Sequence, residues 1–515
     1  MVKKDWFRLK RYPHIGLPLK LRHRPWIENY IFDKKNIAKH SFYPFIHRKI
    51  SVRKFRKVKN ADGTKSIKRE SSYKDREVFY ANHLDSMIYG YYSDIITKKY
   101  EKKLIEHGIK DCVSAYRSVP LKANEKSRNK CNIDFANDIF KYIEENKNRD
   151  LIAITFDITS FFDNLNHKRL KETWIEILDE KILPDDHYAI FKNLTKFSYI
   201  EQEDIFEEFK DQIIVDKKGK NTKISIPNIE LLKEKNAIAF CSLKDFNSRI
   251  RAKNLIKKNR FKTKNDFLTG NFRIKGIPQG SPISSTLANI YLLHFDKLIN
   301  EKITEIDGMY RRYSDDMIVV ADEKNMDMIY NLLIDEIQNF DLEIQPSKSQ
   351  SFIFKYFNEK FGCKEIDLDT GEIKDNTKFE YLGFSFDGEK VYLKSSGLAK
   401  YYRKMKRSIK RGGYYAKFGK NKVPQLFKNR LYKRYTIMGA HRRKIIKKAP
   451  HLPNTFYRTN TYDWGNFLTY AKLAANVFEN NGINSQIGKH WDKFHNLIKD
   501  KEVEIENHYA NKIRK

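Results

Sequence analysis

Little in this chain could staple it or carry it through a bilayer. Its four cysteines, Cys112, Cys131, Cys241 and Cys363, stand far apart in 515 residues without paired spacing, which argues against a disulfide framework or a structural zinc site and fits a reducing compartment. No uninterrupted apolar run reaches membrane length, and Met1-Val2-Lys3-Lys4-Asp5-Trp6 lacks an apolar signal core, so a cytoplasmic protein is expected. No internal repeat or low-complexity linker is evident. Acid is scarce beside base: Asp and Glu number 66 against 101 Lys and Arg, a formal charge of +35. Solubility alone needs far less. The cations are spread along the whole chain without a long amphipathic anchor, which favours a polyanion over a membrane surface. Aromatic residues make up 14% of the chain and offer stacking surfaces for unpaired bases, so binding to RNA that weakens steeply with salt is expected.

Against this background, Tyr313-Ser314-Asp315-Asp316 stands out. Two adjacent acids follow a strand-like approach and precede the apolar run Met317-Ile318-Val319-Val320. At a hairpin tip such neighbours repel unless divalent cations neutralise them. Asp157 closes a second apolar run, Leu151-Ile152-Ala153-Ile154-Thr155-Phe156, read as a buried strand beside the first. Three carboxylates there would hold two Mg2+ ions about 3.5 to 4 Å apart, the arrangement for nucleotidyl transfer; taken alone, an Asp pair is more readily an ordinary surface strand end. Between the acids lies Gly276-Ile277-Pro278-Gln279-Gly280-Ser281-Pro282, then an apolar pattern at 283, 287, 290 and 291 that predicts a helix with Ser281 as N-cap and Pro282 at its first position. A Gly-Pro loop feeding a helix start allows close backbone approach to a nucleotide. Gln279 can donate and accept there.

The order Asp157, Pro-Gln-Gly loop, Tyr-Ser-Asp-Asp resembles the palm of reverse transcriptases. The resemblance extends to Ile344-Gln345-Pro346-Ser347-Lys348, similar to the family's lysine-bearing loop, and to Phe379-Glu380-Tyr381-Leu382-Gly383-Phe384, similar to its primer grip. Tyr116-Arg117-Ser118-Val119-Pro120 and Lys130-Cys131-Asn132 resemble fingers segments. The resemblance implies an α+β right-hand polymerase with fingers, a ferredoxin-like antiparallel palm and a helical thumb. It implies an RNA-directed DNA polymerase in which Asp157, Asp315, Asp316 and the Ile158 carbonyl hold two Mg2+, with Mn2+ an alternative. Lys348 would be the pyrophosphate acid; Phe162, Gln279, Gly280, Arg117 and Lys130 would meet the nucleotide, and Leu382 and Gly383 the primer. Phe162, five positions after Asp157, would crowd a ribose 2′-OH and select dNTPs.

Residues 1–78 read as a basic N-terminal extension containing a hairpin, with strands on either side of Asp62-Gly63. Residues 79–394 read as fingers and palm, with a helix from Phe79 and a charged, solvent-facing insertion at about 200–270. Residues 395–515 read as a helical thumb and C-terminal region. The chain has no Cys-His tail of the kind that group II intron enzymes often carry, and no second acidic constellation for RNase H is evident. In outline it resembles bacterial defence-associated, abortive-infection-like enzymes of the "unknown group". That resemblance implies antiphage defence, a noncoding RNA template, a DNA product and a possible homo-oligomer. Tyr414, Tyr415, Tyr457 and Tyr462 are guesses at a priming side chain. A retroelement enzyme and a noncatalytic RNA-binding scaffold are the rival expectations.

Overall fold

A computed structural model describes residues 5–59, 65–121, 128–217, 219–345, 348–367, 370–419, 424–441, 444–448, 456–462 and 465–513. Pro346, Ser347, Asp62 and Gly63 lie outside the described residues. The protein is α+β with largely antiparallel sheets. It divides into two units: Met1–Arg117, Thr155–Val319 and Asp327–Ser349 form the first, and Ser118–Ile154, Val320–Met326 and Gln350–Lys515 the second.

In the sheet that carries the acids, Met309–Tyr313 neighbours Asp316–Asp322, which neighbours Leu151–Asp157. Residues 151–154 and 317–321 are all buried, as expected for strands covered on both faces, where continuous apolar runs replace alternation. The basic hairpin of the first unit is present: Phe45–Lys59 pairs antiparallel with Lys65–Tyr80. It runs further than read, and the next helix spans His83–Glu106, not starting at Phe79. Phe79 and Tyr80 are held in register opposite His47 and Ile46, and Asn82 caps the helix by accepting from the Leu84 amide at 3.2 Å.

Up to Ile250 the segment at 200–270 is not the solvated excursion expected, whereas residues 257–270 are largely exposed. Ile205, Phe206, Phe209, Ile213, Val215 and Ile226 turn inward and form one apolar cluster with Ile15 and Ile46 from the N-terminal region. The first short strand, His14–Ile15, pairs parallel with Ala237–Cys241. The charges that suggested exposure are the outer faces of elements whose inner faces are apolar.

In the second unit, Gln350–Phe357, Lys360–Ile366 and Ile373–Lys374 form successive antiparallel neighbours. Phe379–Tyr381, Phe384–Phe386 and Val391–Leu393 form a small sheet. The long helix Ser395–Phe418 turns Tyr401, Met405, Ile409 and Ala416 inward at helical spacing. They pack with Phe494, Ile498 and Ile505 of the helix His490–Ile513, leaving the cations outward. Among the described residues, no helix is long and apolar enough to cross a membrane. Cys112, Cys241 and Cys363 are buried packing residues; burial pushes each thiol up to about 12.

Candidate active site

The turn that carries the acids rests on a buried ion pair. Met309–Tyr313 and Asp316–Asp322 are joined by Ser314 and Asp315, with Ser314 in the left-handed region at φ +65°, a conformation that strains a side chain bearing a Cβ. Beneath it, Arg312 and Asp296 are both fully buried and paired through Nη2–Oδ2 at 2.6 Å and Nε–Oδ1 at 2.7 Å. Arg312 Nη1 donates to the Ser314 carbonyl at 3.0 Å, which fixes the strained residue from below. Tyr310 donates its hydroxyl to Asp296 at 2.9 Å. Burial opposes a charged guanidinium here, yet the Asp296 charge and its hydrogen bonds outweigh burial and raise the Arg312 pKa. Above the turn, the Ser314 hydroxyl donates to the Tyr116 hydroxyl at 3.1 Å. Sequence reasoning missed Arg312 and Asp296 and placed Tyr116 only in a fingers-like segment; the sequence signal at Arg312 was a charged residue inside an otherwise strand-like approach.

Asp157 ends its strand at the same place. The Ile158 amide donates to the Asp315 carbonyl at 3.2 Å, and the Asp157 carbonyl accepts from the Gln345 amide at 2.8 Å. The backbone therefore sets Asp157 beside Asp315 and Asp316 at one end of the sheet. Among the described residues, no group of three or more His, Cys, Asp or Glu side chains is already gathered to hold a metal. Asp157 pairs with Lys348, whose Nζ stands 2.8 Å from Oδ1. Lys348 is thus at the site, as an ion-pair partner of the first acid. The donor set suits a hard divalent cation, since it is all oxygen: the three carboxylates and the Ile158 carbonyl.

The nucleotide-side candidates fall into two groups. Phe162 is half-buried on the short helix Phe161–Asn164, which follows Ser160 at φ +44°. Its carbonyl accepts from the Ile277 amide at 2.9 Å, so the Phe162 turn and the Pro-Gln-Gly loop are tied together. Gln279 is half-buried and Gly280 exposed. At Gly280, φ is +115° and an added Cβ would stand 2.8 Å from the Phe79 carbonyl, so only glycine fits. The Ser281 N-cap expectation is corrected: the helix spans Ser284–Tyr291. The Ser284 hydroxyl donates to the Pro278 carbonyl at 2.7 Å, holding the loop as a separate turn, while the Ser281 hydroxyl is buried without a partner among the described residues.

Arg117 is not presented as a free cation. Its guanidinium pairs with Glu101 through Nε at 2.7 Å and Nη2 at 2.6 Å, and donates to the Val113 carbonyl, with the side chain only 2% exposed. Lys130, Leu382 and Gly383 belong to the second unit. Lys130 pairs with Asp138 at 2.8 Å. Leu382 and Gly383 form a turn at φ +44° and +93° between two strands of the small sheet, its Leu382 carbonyl held by Asn132 Nδ2 at 3.1 Å.

Residues 180–386 match the family model described as reverse transcriptase (RNA-dependent DNA polymerase). A reverse transcriptase domain is present. The match takes in Gln279, Gly280, Asp315, Asp316, Lys348, Leu382 and Gly383 and begins after Asp157 and Phe162. With it, the α+β architecture is that of a right-hand polymerase. No curated protein matches the chain. Among solved structures, apo telomerase from Candida tropicalis is similar at 14% identity and TM-score 0.35, over 76% of this chain and 57% of that one. Its form truncated from the C-terminal domain is similar at 13% and 0.32, over 68% and 60%. Telomerase from Candida albicans, in complex with a TWJ fragment of telomeric RNA, is similar at 12% and 0.33, over 94% and 64%. The chain spans about three-fifths of the length of these structures.

Proposed function

We propose that the protein is an RNA-directed DNA polymerase that makes cDNA from dNTPs by two-metal nucleotidyl transfer. The observation that carries this reading is the Ile158–Asp315 backbone bond: it sets Asp157 next to Asp315 and Asp316, and the Phe162–Ile277 bond fastens the nucleotide-side loop to the same strand end. Asp157, Asp315, Asp316 and the Ile158 carbonyl would hold Mg2+, or Mn2+ in its place. When bound, such ions supply Lewis acidity and neutralise phosphate charge. The chain's own part is positioning, which is most of what phosphoryl-type transfer asks of a protein. Arg312 holds the Ser314 turn and so aims Asp315. Phe162 excludes a 2′-hydroxyl, and Gln279 and Gly280 offer donor, acceptor and close backbone to the nucleotide. Lys348, paired with Asp157, would serve as the pyrophosphate acid. On this reading, Leu382 and Gly383 would steady a primer end.

The finer reading, antiphage defence on an associated noncoding RNA in the cytoplasm with possible homo-oligomerisation, is supported by the sequence resemblance to defence-associated enzymes. The Lys348–Asp157 ion pair favours a second reading, a polymerase-shaped RNA-binding scaffold in which the acids are neutralised internally. One experiment separates them. Purified protein with a primed RNA template, dNTPs and Mg2+ should extend the primer, and Asp315→Asn should abolish extension while leaving the circular dichroism spectrum and melting profile unchanged. Equal extension by the variant would overturn the site; no extension by the wild type on any primed RNA would favour the scaffold.

A further inference from the structure

A two-stranded ribbon starts at the candidate site's loop. Phe45–Lys59 and Lys65–Tyr80 stay paired from Ile46↔Tyr80 out to Lys59↔Lys65. In the first strand, only Phe45, Ile46 and His47 have a second neighbour, the strand Ser198–Glu201. From Arg48 outward the ribbon has no further sheet partner among the described residues. Its first strand carries seven Lys or Arg and no acid, and its second five against three acids.

The register sorts these charges. Directly opposed residues in an antiparallel pair share a face. Over the root half of the ribbon, one face therefore carries Lys49 with Glu77, Ser51 with Asp75 and Arg53 with Tyr73, and the other Arg48 with Val78, Ile50 with Arg76 and Val52 with Lys74. Both acids of this stretch lie on the first face and are already engaged: Asp75 by Lys49 at 2.8 Å and Ser51 at 2.6 Å, Glu77 by His47. The second face presents Arg48, Lys74 and Arg76, all exposed and without an ion-pair partner among the described residues. They flank Ile50 and Val52, which are 39% and 46% exposed. Blunting the ribbon's edges against aggregation calls for charge of any kind; it does not call for all the acid of this stretch to be placed on one face. The ribbon's root is part of the site: the Phe79 amide donates to the Gln279 carbonyl at 2.8 Å.

We propose that the Arg48/Lys74/Arg76 face binds the phosphate backbone of RNA and guides it past the Pro-Gln-Gly loop. The choice of RNA rests on the polymerase reading; the charge pattern itself selects phosphate. The test is fluorescence anisotropy with a labelled RNA oligonucleotide, and a DNA of the same sequence, across a salt series. Arg48→Gln/Lys74→Gln/Arg76→Gln should weaken RNA binding at least tenfold and lessen the slope of log affinity against log salt by about 2, near 0.7 for each phosphate no longer neutralised. Lys49→Gln/Asp75→Asn, which removes one charge of each sign from the opposite face and so leaves net charge unchanged, should bind as wild type. Circular dichroism checks that both variants fold, and the single Arg76→Glu provides a second reading of the same face. An unchanged slope in the triple variant, an equal loss in the control, or loss of DNA binding alone overturns the proposal. Because binding is read without nucleotides, it is independent of primer extension: active protein with an unchanged slope sinks the ribbon, and a ribbon-dependent slope in inactive protein sinks the polymerase reading.

Discussion

Removing Arg312 should be among the most damaging single changes in the first unit, and the reason can be separated from chemistry at the acids. Arg312 and Asp296 are each fully buried, so neither is screened by water and no discount for exposure applies. Arg312→Met leaves the Asp296 carboxylate to the Tyr310 hydroxyl, and Asp296→Leu strands the guanidinium. Breaking one side of such a pair costs about 3–5 kcal/mol, whereas replacing both sides by apolar residues of similar volume is often close to neutral. With a urea slope of about 3 kcal/mol per M, either single variant should lower the unfolding midpoint by at least roughly 1 M, and the double variant should recover most of it. The assay is urea denaturation followed by tryptophan fluorescence, since the buried Trp174 belongs to the same unit. Primer extension then divides stability from function. The double variant still lacks the donor that holds the Ser314 carbonyl, so it should fold and extend poorly. A midpoint shift below about 0.3 M for Arg312→Met would refute the buried-pair argument, and full activity in the double variant would refute the claim that Arg312 aims Asp315.

Phe162→Val should raise ribonucleotide incorporation relative to dNTPs; unchanged discrimination in single-nucleotide extension would remove Phe162 as the sugar gate. His83 is 2% exposed with neither ring nitrogen partnered among the described residues, and burial lowers its pKa from 6.5 to about 4. The fold therefore keeps His83 neutral while the unfolded chain takes up a proton below pH 6.5. Stability should fall as pH drops from 6.5 to about 4, by on the order of 3 kcal/mol for this group, and level off for it below that. His83→Leu should flatten that limb in urea titrations spanning neutral pH down to about 4; a limb of equal steepness would contradict the assignment. Gly280→Ala should cut primer extension and shift the thermal melt downward, because the backbone sits at φ +115° with the Phe79 carbonyl 2.8 Å from the added carbon; wild-type activity would show that the loop can relax.

What the sequence made legible was local. Tyr313-Ser314-Asp315-Asp316 announces a tight turn because a strand-like approach precedes its acids and an apolar run follows them, and the apolar run ending at Asp157 reads as a buried strand. The hairpin at 45–80 was visible from its basic, strand-like halves. What stayed hidden depends on distant partners. Nothing near Arg312 says that Asp296 will meet it in the core, and Arg117 looks like a ligand-facing cation until Glu101 is seen beside it. The Ser281-Pro282 pair has the chemistry of a helix start, yet the helix waits for Ser284 because the Ser284 hydroxyl is used to fasten Pro278. The stretch from Ile205 to Ile250 looked solvated because its apolar complement, Ile15 and Ile46, lies far upstream. The side-chain arrangement at the acids was also out of reach: which carboxylate takes Lys348 depends on the balance of several charges, not on spacing.

The pairing of His14–Ile15 with Ala237–Cys241 has a consequence for biogenesis. During synthesis, the opening strand must wait, unpaired, until the polypeptide has grown past residue 241, and its buried Ile15 waits with it. Partners so far apart along the chain are slow to meet and leave apolar surface uncovered meanwhile. A truncation that trims the first fifteen or so residues to aid expression would remove a wall of the cluster around Phe206 and Phe240, so versions shortened at this end should be recovered aggregated rather than soluble.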